Sequence, residues 1–263
     1  MPDTPQPDIL VDWNGEAVPL IEHFNHRSLY FYFANRSLLV ERELFSAAGG
    51  RTWEPFDRNQ IIPIDWEGKL VDVEVEEETD KKKPKEVEKE INQKKHKVKY
   101  CSIQDYVGRE LASRDYDIVF FDHTQGEVAD FVTIKKERDC IRFGAYHCKS
   151  SGGAAPGNRL GDLHEVCSQV VKNLWCLLHN DRLLAHIKRR KRLAKPEFLV
   201  SDYDTLKTLM SLAKSRLTVY DVVVVQPGIT QAGIDGELGS LLAAAHDYIK
   251  EASCEDLIVW GSA

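Results

Sequence analysis

The chain lacks a long apolar run, an excess of positive charge and any paired cysteine motif. No apolar segment approaches eighteen residues, so the sequence predicts no membrane span. The formal net charge of −7 excludes a global basic field, and a nucleic-acid partner would need a local basic patch. The six cysteines show no CxxC pair and no metal-like spacing, which favours a reduced, cytoplasmic protein.

Signals for targeting and for nucleotide binding are also missing. The opening residues, MPDTPQPDIL, have neither the basic nor the apolar region of a signal peptide. No P-loop is present, so an ATP-driven motor would have to be another protein or another part of a longer one. What the sequence does have is 263 residues with 43% hydrophobic content, which is enough to bury a large core.

Composition predicts three regions. Residues 1–75 read as strand-rich, and LVDVEV at residues 70–75 alternates with the period of a strand. Residues 76–99 are mostly Glu and Lys around a proline, which predicts a solvated insertion or hairpin, with KKHKVK as an alternative basic arm for DNA. Residues 100–263 carry the regular alternation of helices and strands.

The third region predicts an α/β sandwich around a mixed sheet. A helix after Ser102 is followed by strands at DIVFFD, GEVADFVTI and CIRFGAYHCKS. One helix, DLHEVCSQVVKNLWCLLHNDRLLAHI, leads to the buried strand YDVVVVQPGI, and a last helix and the strand DLIVWG follow. Such alternation is typical of helices packed on a central sheet.

Two of the buried strands each carry a charge, Asp130 in one and Lys149 in the next. Because side chains alternate along a strand, His147 and Lys149 share a face, and we expect Asp130 to meet them at the same end of the sheet. On the next helix, Gln169 and Lys172 belong to a polar stripe and are predicted to border the same pocket. A structural ion pair between Asp130 and Lys149 is the alternative.

These residue types suit metal-assisted phosphodiester hydrolysis. An aspartate offers hard oxygen to Mg²⁺, and a lysine can orient the attacking water or neutralise charge on the phosphate. A buried lysine without a partner would cost several kcal/mol, so its position on an apolar strand calls for an explanation.

The segment EVADFVTI…YHCKSS…CSQVVK resembles the PD-(D/E)xK nuclease superfamily. That family has the restriction-endonuclease-like fold, a central mixed sheet flanked by helices in the order helix, three strands, helix, strand. Asp130 matches its acidic position and Lys149 its lysine, while Gln169 and Lys172 resemble extra polar residues of several branches. The layout is also similar to nuclease modules linked to helicases in bacterial anti-phage defence.

The sequence departs from that family at one position, where His147 replaces the usual acid two residues before the lysine. Histidine can bind a divalent metal through a neutral ring nitrogen, although Mg²⁺ prefers oxygen. Another carboxylate would then complete the site, and Glu127 ranks before Asp122 and Glu110.

The resemblance implies a DNA endonuclease that uses Mg²⁺ or Mn²⁺, in an anti-phage or restriction system with a helicase or ATPase partner. It implies catalytic roles for Asp130, Lys149, His147 and Gln169, metal binding by Asp130, Glu127 and His147, and a substrate contact from Lys172. The Gly-rich segment SGGAAPGNR is either a flexible loop or one whose backbone amides and Arg159 contact a phosphate of the substrate. The basic run at residues 186–195 is either a DNA contact or a solvated helix end. A decayed nuclease that binds without cleaving, or a scaffolding subunit, is the alternative.

Overall fold

The described part of the chain falls into two compact units. The computed structural model describes residues 55–263 except 80–81, 92–93, 124, 152–158, 194–195, 235 and 254, together with five short strands before residue 55. The Gly-rich segment at residues 152–158 therefore lies outside the described residues. The units are Met1–Arg51 and Thr52–Ala263.

The first unit contains two small antiparallel sheets. Strand β1 (Leu10–Trp13) pairs with β2 (Glu16–Pro19). Strand β4 (Leu38–Val40) lies between β3 (Tyr30–Tyr32) and β5 (Glu43–Phe45). Five short strands of the first unit thus fall in the region that composition predicts to be strand-rich, and β6 (Ile61–Ile64) is a sixth.

A seven-stranded mixed sheet organises the second unit. Its strands are β6 (Ile61–Ile64), β9 (Ile118–Phe121), β10 (Phe131–Lys136), β11 (Cys140–Cys148), β12 (Glu197–Val200), β13 (Leu217–Val225) and β14 (Leu257–Ser262). Their spatial order is β12-β9-β10-β11-β13-β14-β6. The pairs from β12 to β11 are antiparallel and those from β11 to β6 are parallel.

Five helices flank this sheet. They are α1 (Ile103–Ala112), α2 (Leu160–Leu178), α3 (Asn180–Arg190), α4 (Tyr203–Ala213) and α5 (Gly236–Ser253). The Ser102 hydroxyl accepts the Asp105 amide, and the Asp105 carboxylate reaches back to the Ser102 amide in a capping box that fixes the start of α1. The α/β class with a mixed sheet is therefore confirmed. None of the helices in the described part of the chain has the length and apolar character needed to cross a lipid bilayer.

Two local predictions were wrong. The single helix expected from residue 162 to 187 breaks at His179, whose extended backbone separates α2 from α3. The strand expected at residues 70–75 is a turn-rich segment with one isolated bridge, between Val71 and Cys101. Its period-two pattern arises because Val71, Val73 and Val75 are all buried without forming a ladder.

Residues 76–99, predicted as an insertion or a hairpin, contain a two-stranded hairpin. Strand β7 (Glu86–Ile91) pairs antiparallel with β8 (Lys94–Lys99) in a sheet of their own. The predicted boundaries between the three regions, after residues 75 and 99, stay a prediction. In the structure, residues 52–75 belong to the same compact unit as the large sheet.

The two faces of the large sheet receive different helices. Helix α1 packs through Ile103, Val107 and Leu111 into a cluster with Tyr146 and Cys148 of β11. On the other face, Ala145 and His147 line a small cavity with residues of α2. Alternate residues of β11 therefore face α1 and α2 in turn, as the pleat of a strand requires.

Candidate metal and active site

The connection between β9 and β10 carries a cluster of possible metal ligands. The Asp122 amide donates to the Asp130 carbonyl at 2.9 Å and closes this connection at the end of the strand pair. Within it, His123, Glu127 and Asp130 each offer one ligand atom, and these atoms lie within 4.8 Å of one another. Chain reversal at the sheet end thus gathers an imidazole and two carboxylates.

Asp130 is the buried member of this cluster, with 2% of its surface exposed. Its carboxylate accepts the Cys148 amide at 2.7 Å and the Gln104 amide nitrogen at 2.5 Å. Burial raises the pKa of Asp130 to about 6, although hydrogen bonds from His123 and the Cys148 amide act in the opposite direction. The carboxylate is therefore fixed between α1 and β11 by its hydrogen bonds.

His123 has carboxylates beside both ring nitrogens. Its Nδ1 lies 3.1 Å from Asp130 Oδ1 and 3.4 Å from Glu127 Oε2, and its Nε2 lies 3.1 Å from Glu77 Oε2. Hydrogen bonds with Asp130 and Glu127 raise the pKa of His123 to about 10. In the structure His123 is thus an imidazolium that neutralises part of the charge of three carboxylates.

Lys149 directly follows the last residue of β11, Cys148, whose amide donates to Asp130. Its Nζ is 2.7 Å from Glu165 Oε1 of α2 and 3.8 Å from Glu76 Oε2. Burial opposes the charged form, but the hydrogen bond to Glu165 and the charge of Glu76 raise the pKa of Lys149. Burial also raises the pKa of Glu76, while Lys149 opposes that shift.

Asp130 and Lys149 do not form the ion pair that was the alternative explanation for them, since the described contacts of Lys149 are with Glu76 and Glu165. Glu76 links the two groups electrostatically, because its negative charge acts on both Asp130 and Lys149. The two charges belong to one site without neutralising each other directly.

The expected meeting of His147 with Asp130 is wrong. His147 lines an apolar cavity beneath α2 with Ala145 and Val170, and 2% of its surface is exposed. Asp130 instead turns toward Gln104 of α1, because it precedes the first paired residue of β10 and is not bound by strand alternation. Burial lowers the pKa of His147 to about 4, so this side chain is neutral.

The other predicted residues separate into two groups. Glu127 lies in the cluster of possible metal ligands, and its role as a ligand stays a prediction. Among the contacts of the described residues, none joins Gln169, Lys172 or Arg159 to it: Gln169 is half-buried, Lys172 is exposed, and Arg159 precedes α2, where its Nε lies 3.5 Å from Asp162.

Asp122 and Glu110 have other partners. The Arg190 Nε donates to Asp122 at 2.6 Å, and the His186 Nε2 lies 2.6 Å from the same carboxylate, which is fully buried. Glu110 pairs with Arg114 at 2.9 Å on α1. The acidic alternatives to Glu127 are therefore occupied by structural contacts.

Four members of the site were missed in the sequence. His123 directly follows a predicted strand and was interpreted only as part of a turn, and Gln104 is in the first turn of α1. Glu76 and Glu77 fall at the start of the charged segment, where composition predicts solvated residues. The position of His123 at a strand end was the one local signal for it.

The donor set fits a divalent cation. Two carboxylates supply the oxygen ligands that Mg²⁺ and Mn²⁺ prefer, while an imidazole ligand suits later transition metals better than Mg²⁺. The second unit is thus an α/β fold with a three-residue candidate metal site beside a paired lysine. Comparisons with family models, curated proteins and solved structures found no match to this chain.

Proposed function

We propose that this chain is a divalent-metal-dependent nuclease that hydrolyses DNA phosphodiester bonds. One observation carries the proposal: the His123, Glu127 and Asp130 cluster lies at the end of β11 from which Lys149 emerges. A carboxylate cluster with an adjacent ammonium group suits a reaction that develops negative charge on a phosphate. The resemblance to PD-(D/E)xK nucleases extends the proposal to an anti-phage or restriction role with a helicase or ATPase partner.

The residues of the cluster have distinct tasks in this proposal. Asp130, Glu127 and His123 hold the metal, and Gln104 keeps the Asp130 carboxylate oriented by donating to Oδ1. When bound, Mg²⁺ or Mn²⁺ supplies Lewis acidity and makes a water molecule more acidic. His123 would have to release its ring proton to solvent to serve as a ligand, because a metal ligand must be a neutral imidazole.

Lys149 places a positive charge next to the reacting phosphate. Its ammonium group is held by Glu76 and Glu165, and its side chain is 19% exposed, so it can reach a ligand at the surface. Hydrogen bonds from Lys149 to a phosphate oxygen or to the attacking water favour the transition state.

The order of elements supports the same proposal. Helix α1, the antiparallel strands β9, β10 and β11, helix α2 and then β13, parallel to β11, follow the order that the family resemblance implies. The elements α3, β12 and α4 are inserted between α2 and β13. The insertion leaves the strands that carry the site adjacent.

The test is cleavage of supercoiled plasmid with Mg²⁺ or Mn²⁺ by the parent, Asp130→Ala and Lys149→Ala. We expect the parent to nick or linearise the plasmid and both variants to lose cleavage by at least about 100-fold. The matched controls are Asp115→Ala and Lys135→Ala, which break an ion pair of 3.0 Å on the surface and should cleave normally. Each variant is checked for an unchanged melting temperature.

Metal binding separates the possible failures. Mn²⁺ should raise the melting temperature of the parent but not of Asp130→Ala, because a ligand that binds only the folded state stabilises it. Stabilisation by Mn²⁺ without cleavage would point to a decayed nuclease or an absent partner. Cleavage that survives Asp130→Ala would overturn the assignment.

A further inference from the structure

One side of α2 presents a partly exposed stripe that leads away from Lys149. Its residues are Glu165, Ser168, Lys172 and Trp175, of which Ser168 is half-buried. Their spacings of three, four and three residues place them along one helix face. The opposite face of α2 is buried through Val166, Val170 and Leu174.

Trp175 is an unusual member of this stripe. It is 55% exposed, whereas Trp66 and Trp260, the other tryptophans whose burial is described, are 4% and 3% exposed. The Arg182 guanidinium lies over its ring at 5.3 Å from the centroid, and the His179 ring is also in contact. Trp175 therefore offers aromatic surface to a ligand beside a cationic side chain.

Two cationic side chains lie close to this ring along the chain. Lys172 precedes it by one helical turn, and the Arg182 guanidinium lies over it. Among the described residues, no carboxylate forms an ion pair with Lys172 or Arg182, and Asp181 is taken by Lys214 at 3.2 Å. An anionic ligand with a flat, apolar part fits this surface.

We infer that the stripe from Lys172 to Trp175, with Arg182, binds a single-stranded segment of nucleic acid, and that Trp175 stacks on an unpaired base. The inference rests on the proposed nuclease function, since it takes that substrate as the ligand. Lys172 and Arg182 contact the backbone phosphates. Single-strand sites in proteins combine such cations with stacking aromatic side chains.

The dimensions are consistent with a strand that also reaches Lys149. Glu165, which contacts the Lys149 ammonium, and Trp175 are ten residues apart on α2, or about 15 Å along the helix axis. That length spans about four nucleotides at the 3.4 Å spacing of a duplex strand and fewer in an extended one. A duplex would not use Trp175 in this way, because its bases are already stacked on one another.

The test is fluorescence polarisation with a labelled oligothymidylate of about 12 nucleotides and with a matched duplex. The full chain is used in EDTA, so that binding is measured without cleavage. The variants are Trp175→Ala, Trp175→Phe, Lys172→Ala and Arg182→Ala. Leu217→Ala, which removes another exposed apolar side chain at 68% exposure, is the matched control.

We expect Trp175→Ala to weaken single-strand binding about 5- to 100-fold and duplex binding much less, while Trp175→Phe keeps most of the affinity. Lys172→Ala and Arg182→Ala should each lower the salt dependence of binding by about one phosphate contact. No binding by the parent, unchanged affinity of Trp175→Ala, or equal losses for single strand and duplex would each overturn the inference. If the parent did not cleave plasmid but Trp175→Ala still weakened its single-strand binding, the inference about the stripe would hold and only the catalytic proposal would be rejected.

Discussion

His123 shows how one side chain can balance a cluster of acids. Asp130, Glu127 and Glu77 lie within 3.1 to 3.4 Å of its two ring nitrogens, and three carboxylates in such proximity repel one another. The imidazolium offsets that repulsion. The cluster is therefore compatible with folding before any metal binds, and a metal would take over the role of the positive charge.

His147 illustrates the opposite case, a histidine that burial keeps neutral. Its pKa is about 4 in the folded chain and about 6.5 when unfolded, so between these values the unfolded chain binds more protons. The contribution of neutral His147 to the free energy of unfolding is therefore fully present above pH 6.5 and is lost as the pH falls toward 4. Through this side chain alone, a change from pH 7 to pH 5 costs about 2 kcal/mol.

We expect His147→Leu to reduce that loss. Leucine suits the apolar cavity formed with Ala145 and Val170, and it cannot be protonated. The free energy of unfolding, measured with urea at pH 7 and pH 5, should fall less for the variant than for the parent. His164→Gln, at an exposed histidine of α2, is the control and should behave as the parent. Equal losses in parent and His147→Leu would contradict the neutral buried state.

At the scale of elements, helix α3 fixes the connection that carries the ligand cluster. Arg190 donates through Nε to the Asp122 carboxylate and through Nη1 to the Gln125 carbonyl at 2.9 Å, and Asp122 accepts the Val128 amide at 2.9 Å. Residues 186–195 were interpreted as either a solvated helix end or a DNA contact, and the solvated alternative is wrong for His186 and Arg190. Both are buried and hold the β9–β10 connection.

Arg190→Met should destabilise the fold by about 3–5 kcal/mol, because it leaves Asp122 as a buried charge without its main partner. Lys188→Met, on the same helix but exposed, is the matched control and should change stability by less than about 0.5 kcal/mol. Urea unfolding at pH 7 measures both. A neutral Arg190→Met would show that the network contributes little to folding.

Periodicity predicted the elements better than it predicted the site. The apolar spacing of α1 and α2 and the β-branched run of β13 are strong local signals. The predicted order of elements was wrong between α2 and β13, because it lacked β12 and α4. Alternation gives the direction of a side chain only inside a paired strand. Asp130 lies one residue before β10, so its turn toward Gln104 depends on packing that no local pattern contains.

The break at His179 has a similar cause. The apolar pattern continues from α2 into α3, yet the chain changes direction so that His186 and Arg190 can reach Asp122. His186 and Arg190 follow Asp122 in the sequence by 64 and 68 positions. Long-range polar contacts of this kind are invisible to a reading of periodicity.

At the scale of the whole molecule, one edge strand of the large sheet comes from early in the chain. Strand β6 pairs with β14 at one edge, and Val71 bridges Cys101 just before α1. Ile61, Trp66 and Val71 are at most 4% exposed. The core of the second unit therefore includes residues far upstream of the predicted boundary at residue 100.

Truncation tests this reach of the core. A chain of residues 52–263 should unfold cooperatively with urea, because all seven strands of the large sheet and all five helices that flank it remain. A chain of residues 100–263 loses six buried apolar side chains, those of Phe56, Ile61, Trp66, Val71, Val73 and Val75. At about 1.5–3 kcal/mol each, their burial is comparable to the about 5–15 kcal/mol that stabilises a typical domain, so we expect this shorter chain not to fold.

The site adds a second reason for that outcome. The shorter chain also lacks Glu76 and Glu77, the partners of Lys149 and His123. Circular dichroism and urea titration distinguish the two chains, and Mn²⁺ should raise the melting temperature only of residues 52–263. Cooperative unfolding of residues 100–263 with the same midpoint as the longer chain would mean that the early strand and the turn-rich segment merely cover an independent domain. A lower midpoint or no transition would show that the fold and the candidate site both depend on them.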